Sequence, residues 1–356
     1  MLHNQFYDMK QIICILIGIL YIGCQYLPKN VIIVNTFPSS QHIKGNEMQT
    51  FDNELGIISL QSTDRFYICG SHKTDYHFSI YSKENMIKVT DLCKRGRGPN
   101  EFIAPAFYSQ YETENNQIKI WVLDRATSQL AKINLDQSIE KGETHIEKSF
   151  SLLDYTRFSL REVFLLNDTL LFGTEDYKAC KHMLLNLKDS SINYIPQTIN
   201  FSESYDPFPI SQTISTYSPD KKYIASAYFN FPRIDFIDDK GEIFKIIFYK
   251  EYINPLSVNL SQESEEYFSA ICSDQKYIYA LYNRENIEQN EIKTNSSIFV
   301  FTWNGEPIKE CIIPYATYIN IDKQTQTLLA IDINKEKNIV TSYLLNDILK
   351  IDHSKQ

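Results

Sequence analysis

The 356-residue chain has little glycine, proline or tryptophan: 11, 12 and 2 residues. That scarcity excludes collagen-like and Gly/Pro-rich low-complexity chains. Cationic excess is also absent, with 35 Lys and Arg against 44 Asp and Glu and a formal charge of −9. Nucleic-acid binders usually show clustered Lys and Arg, so no nucleic-acid partner is expected. Several chemical signatures are missing as well: no CxxC, no H-E-x-x-H, no G-x-x-x-x-G-K-[ST], no G-x-S-x-G and no EF-hand loop. The sequence therefore offers no metal set, no cofactor site and no serine-hydrolase elbow of a recognisable kind.

What the chain does have is apolar and aromatic. It is 43% hydrophobic, too much for a disordered chain, and carries 24 Tyr and 21 Phe. Tyr, Phe, Ile and Thr suit a pleated, half-buried surface, so the composition points to an all-β protein.

The N-terminus departs from this pattern. Lys10 precedes an apolar run from Ile12 to Gly23, and these 12 residues are too few to span a bilayer core as a helix. A cation followed by a short apolar run is a secretory signal pattern. The run ends Leu20-Tyr21-Ile22-Gly23-Cys24, which resembles a bacterial lipobox, with Tyr21 where Leu is most common. Residues 1–23 are thus expected to be a lipoprotein signal peptide and Cys24 the lipidated residue. Acyl chains on Cys24 would make the membrane a partner, adding roughly 0.8 kcal/mol per buried CH₂. No acidic residue occurs from Gln25 to Asn30, which favours the periplasmic side of a bacterial outer membrane over the cell surface. The remaining cysteines, Cys69, Cys93, Cys180, Cys272 and Cys311, are odd in number and do not form a disulfide framework. Export would permit a Cys69–Cys93 bridge without demanding it.

Short apolar runs then recur. They begin at Phe66, Ile118, Leu170, Tyr223, Tyr277 and Leu328, spaced 52, 52, 53, 54 and 51 residues apart. Each run follows a polar turn, such as Ser62-Thr63-Asp64-Arg65 or Ser218-Pro219-Asp220-Lys221. A strand precedes each turn and further strands follow each run, as in Arg233 to Ile237 and Ile243 to Tyr249. Asn304-Gly305 between apolar runs is a hairpin signal. Four short antiparallel strands per unit at a period near fifty predict a six-bladed β-propeller over residues 24–352, with 353–356 as a tail. A two-domain sandwich would not repeat one grammar six times. A propeller must close its ring or leave an edge open. Val31-Ile32-Ile33-Val34 is expected to complete the last blade, so that strands from both termini close the ring; residues 348–352 are the alternative.

Gly96-Arg97-Gly98-Pro99-Asn100-Glu101-Phe102 resembles the G-x-G-P-x-E-F segment of the TolB-like six-bladed β-propeller lipoproteins. There it follows the first complete blade and leads into the second, which is its place here. Ser218-Pro219-Asp220-Lys221-Lys222-Tyr223-Ile224-Ala225 resembles the S-P-D-G-K-x-I-A turn of TolB-type repeats, with Lys221 where Gly is usual. The resemblance covers about residues 30–352. It implies the propeller fold and a secreted, lipid-anchored setting, and no established catalytic residues.

Arg95, Gly96, Arg97, Gly98 and Glu101 are the candidate ligand-binding residues, because glycines that expose N–H groups beside arginines can form an anion nest. The structural reading of the same cluster is a tight crossing between blades, with Glu101 pairing an arginine and Phe102 plugging the gap. His72 and His77 could meet across a hairpin, but as histidines on exposed loops they read as solvated; His145 and His182 are the other histidines of note. Asp124, beside Arg125, and Asp206 lie near blade connections; they read as exposed loop acids, with a place facing a central channel as the alternative. Tyr205-Asp206-Pro207-Phe208-Pro209 is a rigid aromatic bridge, and Asn283 to Asn295 a solvated hairpin insertion. The reading is a lipid-anchored envelope propeller that binds or scaffolds a small molecule, glycan or envelope protein. The alternatives are a metal-dependent lactonase- or lyase-like enzyme using the channel, which needs three or more converging Asp, Glu, Asn or His, and a purely structural envelope protein.

Overall fold

A computed structural model describes residues 29–350, apart from 53, 55, 73, 74, 178, 197–210, 251, 253–264, 287–293 and 338. The expected leader, Cys24, the Tyr205–Pro209 bridge, much of the Asn283–Asn295 loop and the tail lie outside the described residues.

Three short strands come first: β1 (Val31–Val34), β2 (Ser40–His42) and β3 (Asn46–Glu47). Six antiparallel sheets follow in chain order. The first contains β4 (Ile57–Ser62), β5 (Phe66–Ser71), β6 (Tyr76–Ser82) and β7 (Lys88–Lys94). The second contains β8 (Pro105–Glu114), β9 (Gln117–Asp124), β10 (Gln129–Asn134) and β11 (Ile146–Ser151), with helix α1 (Leu135–Lys141) before its last strand. The third contains β12 (Leu160–Leu165), β13 (Leu170–Tyr177), β14 (Ala179–Asn186) and β15 (Ile192–Tyr194). The fourth contains β16 (Thr213–Tyr217), β17 (Tyr223–Tyr228), β18 (Arg233–Asp238) and β19 (Ile243–Tyr249). The fifth contains β20 (Glu265–Ser273), β21 (Tyr277–Asn286), β22 (Asn295–Thr302) and β23 (Pro307–Pro314). The sixth contains β24 (Tyr318–Asp322), β25 (Thr327–Ile331) and β26 (Val340–Leu344), after which the chain forms helix α2 (Leu345–Leu349).

The first strands of successive sheets neighbour one another, and β24 lies against β4, so the six sheets form a ring. Six buried clusters sit one at each junction between blades. Ile68, Phe78, Ile118 and Val122 join the first and second blades, for example. Phe51, Tyr67, Leu329 and Val340 join the sixth and first. The Tyr and Phe excess goes to these junctions. Tyr249, Tyr282 and Phe299 meet with ring centroids 4.5–5.1 Å apart between the fourth and fifth blades.

Edge pairing differs from the sequence expectation. Val31–Val34 does not complete the sixth blade; β1 is a fifth, outer strand on the fourth, where Lys250 N–H donates to Val34 O at 2.9 Å. The fourth position of the sixth blade is taken by β3, with Glu47 opposite Thr341 and Asn46 opposite Ser342. Between them β2 runs parallel to β23. Residue 348 lies in α2 rather than in a strand. An apolar run marks a strand but not the edge it joins, and Asn46–Glu47 is polar and exposed on both residues.

Turn positions explain how so little glycine suffices. Asn115 and Asn116 both have positive φ, 51° and 61°, as a two-residue hairpin loop requires. Lys221 takes φ 60° in the turn where the related motif has Gly. Among the described residues twelve non-glycine positions have positive φ.

Candidate functional site

The first strand of each blade faces the ring's axis, and four of these six strands are irregular. Pairing registers shift at Ile57/Ser59 in β4, Phe107/Tyr111 in β8, Leu160/Glu162 in β12, and twice in β20. Bulges re-aim side chains and recur beside functional sites. Here they border a cavity of about 410 Å³ lined by residues of all six blades. Ser109, inside the β8 bulge, has φ 57°. A non-glycine residue in that region persists only where its surroundings fix it.

Those surroundings form a polar network. Ser109 Oγ donates to Gln61 Oε1 at 2.6 Å, and Asn320 Nδ2 donates to Ser109 Oγ and to Leu60 O, each at 3.1 Å. Gln61 Nε2 donates to the Tyr318 hydroxyl at 2.7 Å. Similar side-chain bonds tie other neighbours: Gln110 bonds both the N–H and the C=O of Leu165, at 2.8 and 2.7 Å. Thr216 and Ser273 share a bond of 2.8 Å. The channel wall is thus cross-linked from blade to blade.

Among the described residues of the wall, Glu162 is not fully satisfied. It lines the cavity and is 4% exposed. Its Oε1 accepts from Ser215 N–H at 3.0 Å, while Oε2 has no partner. The Ser215 hydroxyl is engaged with Ser226 at 2.9 Å. Burial pushes the Glu162 carboxyl up to about 7, against the pull of the Ser215 hydrogen bonds and then of Arg161 and Arg125. Arg125, exposed on the turn after β9, also lines the cavity. Arg95 and Lys323 add two further cations, so three cations and one carboxyl border the cavity of a chain whose net charge is −9. The remaining wall mixes hydroxyl and amide side chains with aromatic and apolar ones. Tyr108, Phe164 and Tyr217 line it, and Ile58 and Ile103 reach it while 41% and 37% exposed.

The Arg95–Phe102 segment follows the structural reading in most respects. Gly98 N–H donates to Glu101 Oε2 at 2.8 Å, so the cradle is filled by the chain's own carboxylate. Gly96 has φ 154°, and a Cβ there would collide with that carboxylate. Glu101 pairs with Lys94 Nζ at 2.9 Å, not with an arginine as expected, because β7 ends beside it. Lys94 and the Gly98 N–H hold the Glu101 carboxyl below the usual range. Phe102 is 3% exposed in the junction between the first two blades. Arg97 is exposed, and of this segment Arg95 alone lines the cavity, its guanidinium donating to Ser71 O at 3.1 Å.

Other candidates are used internally. Asp124, 2% exposed, accepts from the N–H groups of Ile103, Ala104 and Ala126 at 2.8–3.1 Å, holding the crossing from the first blade. His77 is not on an exposed loop but within β6, 8% exposed, and bonds Phe102 O at 3.1 Å; burial lowers its pKa. His72 lines the same cavity. His182 is buried beside Thr174 at 3.0 Å, and burial pushes it down to about 4. His145 Nδ1 lies 3.0 Å from Lys141 Nζ, away from the cavity. Cys69 and Cys93 do not form a bridge, and both are buried. Among the described residues no three His, Cys, Asp or Glu side chains converge as a metal site. Nor is any described helix long and apolar enough to cross a membrane. Sequence reasoning missed Glu162, Gln61 and Asn320. Their signal was a polar residue inside the otherwise apolar first strand of a unit.

The comparisons agree with this architecture. A member of the DUF4221 family from Bacteroides vulgatus is 15% identical, with 85% of this chain and 94% of that chain covered at a TM-score of 0.52. Hydrazine synthase from Kuenenia stuttgartiensis is 10% identical, with 88% and 83% covered at 0.50. At such identities the likeness shows the fold alone. No curated protein matches the chain. The profile of the TolB-like 6-blade propeller-like family matches residues 58–324, and the chain therefore belongs to the TolB-like six-blade propeller family.

Proposed function

We propose that this propeller is a lipid-anchored, extracytoplasmic binding module that takes a small molecule in its central channel. The observation that supports it best is the channel itself: about 410 Å³ bordered by aromatic, cationic and hydroxyl side chains, with one buried carboxyl oxygen left unpartnered. Binding sites of this kind are concave, largely apolar and carry a few convergent polar groups. The rigidity argued above, with blades cross-bonded through Gln110, Thr216 and Asn320, suits a preformed site better than one assembled on binding. The metal-enzyme alternative is less favoured, because among the described residues no three His, Cys, Asp or Glu side chains converge, and Asn320 in the wall is bonded to Leu60 O and Ser109 Oγ.

Ile58→Trp tests the channel. Ile58 is exposed at the cavity, so the larger ring narrows the opening without entering a buried cluster. Ligand-observed NMR against a library of small polar aromatics is expected to give hits with the full chain that fade with the variant. Identical hits in both proteins would place binding elsewhere. The anchor is tested separately by Cys24→Ser. The variant should leave the membrane fraction for the aqueous one; unchanged membrane association rejects lipidation at Cys24.

A further inference from the structure

We propose that the channel selects a small organic anion, an aromatic or aliphatic carboxylate, held by the Arg125 guanidinium and by a hydrogen bond from the Glu162 carboxyl. This deepens, and rests on, the reading of the channel as a binding site.

Charge carries the first part of the argument. Three cationic side chains line the cavity although the chain as a whole is acidic. A cleft of one sign with low-dielectric walls concentrates ligands of the opposite sign. Among the described residues the Arg125 guanidinium has neither a hydrogen bond nor an ion pair, so it is available to a planar carboxylate in a two-point contact.

Glu162 carries the second part. One oxygen is fixed by the Ser215 N–H, and the other has no partner, in a side chain that lines the cavity at 4% exposure. A buried polar atom left unpaired is costly unless something else satisfies it. The groups facing this carboxyl are Arg161 beside it on β12, Arg125 from the turn after β9, Tyr108 from β8 and Cys180 from β14. Tyr108 donates its hydroxyl to Arg161 O, and burial keeps both it and the Cys180 thiol neutral. With a midpoint of about 7, Glu162 gains a proton readily and then donates to an anion through Oε2. Tyr108, Phe164 and Tyr217 supply a surface for the ligand's apolar body.

Proton linkage makes the proposal measurable. Benzoate stays ionised from pH 6 to pH 8, so its affinity should follow the protonated fraction of Glu162. Binding to that form alone makes benzoate about tenfold weaker at pH 8 than at pH 6. Isothermal titration calorimetry on the full chain in detergent compares benzoate, benzylammonium and benzyl alcohol, three probes with one ring and different charge. Benzoate is expected to bind most tightly, with net proton uptake at pH 7. Glu162→Gln, a permanently neutral donor, should keep the pH 6 affinity and lose the pH dependence. Arg125→Ala, which removes no internal bond, should weaken benzoate about tenfold or more. Tighter binding of benzylammonium or benzyl alcohol overturns the anion assignment and leaves the channel reading standing. A pH-independent wild type, or a folded Glu162→Gln that no longer binds benzoate, also overturns it. If none of the three probes binds saturably, the anion assignment and the channel reading both fail.

Discussion

Glu162 shows how one residue's environment sets both stability and chemistry. Its carboxyl titrates near 7 in the folded ring and near 4.5 when free, so the folded state holds an extra proton between those values. The unfolded chain binds fewer protons there, and Glu162's contribution to stability falls as pH rises through that window. The loss is on the order of 3 kcal/mol, complete above about pH 8. Glu162→Gln should therefore be more stable than wild type at pH 8 and nearly equal to it at pH 4.5, as urea denaturation at the two pH values would report. A constant difference would show that Glu162 titrates normally. Gly96 makes the opposite point. Its φ of 154° and the Glu101 carboxylate against it leave no room for a methyl group. Gly96→Ala should cost about 1–3 kcal/mol in the same assay, and a neutral outcome would reject the cradle described here.

At the scale of elements, the blades were legible because each repeats one signal: apolar strand, polar turn, apolar strand. Strand edges were less so, since pairing depends on which neighbour lacks a partner. The polar pair Asn46–Glu47 gives no sign of its place on β26. Helix α1 was also missed. It is a single short element held by Asn134, whose side chain accepts from Gln137 N–H at 3.1 Å, and ended by Gly142 at φ 68°. Bulges were invisible for a related reason: they depend on how neighbouring strands pair, and β12 shifts register between Leu160 and Glu162, which lines the channel. The segments flanking the blades share one buried anchor. Lys309, 0% exposed on β23, donates to Gln41 Oε1 at 2.9 Å and to Lys350 O at 2.5 Å. Lys309→Met would keep the stem and remove both bonds, at a cost of about 2 kcal/mol or more. Limited proteolysis should then cut near Gln41 and beyond Leu345 before any blade is attacked. Cleavage unchanged from wild type would show that packing alone holds these segments.

At the scale of the molecule, six junction clusters and a cross-bonded inner wall make a rigid ring around a cavity whose charge is opposite to that of the chain. The family and the ring were readable from repeat spacing and from Gly96–Phe102. The cavity's chemistry was not, because it is assembled from single residues contributed by strands far apart in sequence. The account stands or falls on whether that cavity receives a ligand. Crystals of the protein grown with and without benzoate at pH 6 test this most directly. The account predicts difference density in the channel, with the carboxylate between Arg125 and Glu162 Oε2 and the ring against the aromatic wall. Density confined to other surfaces, or a channel unchanged by saturating benzoate, would contradict it.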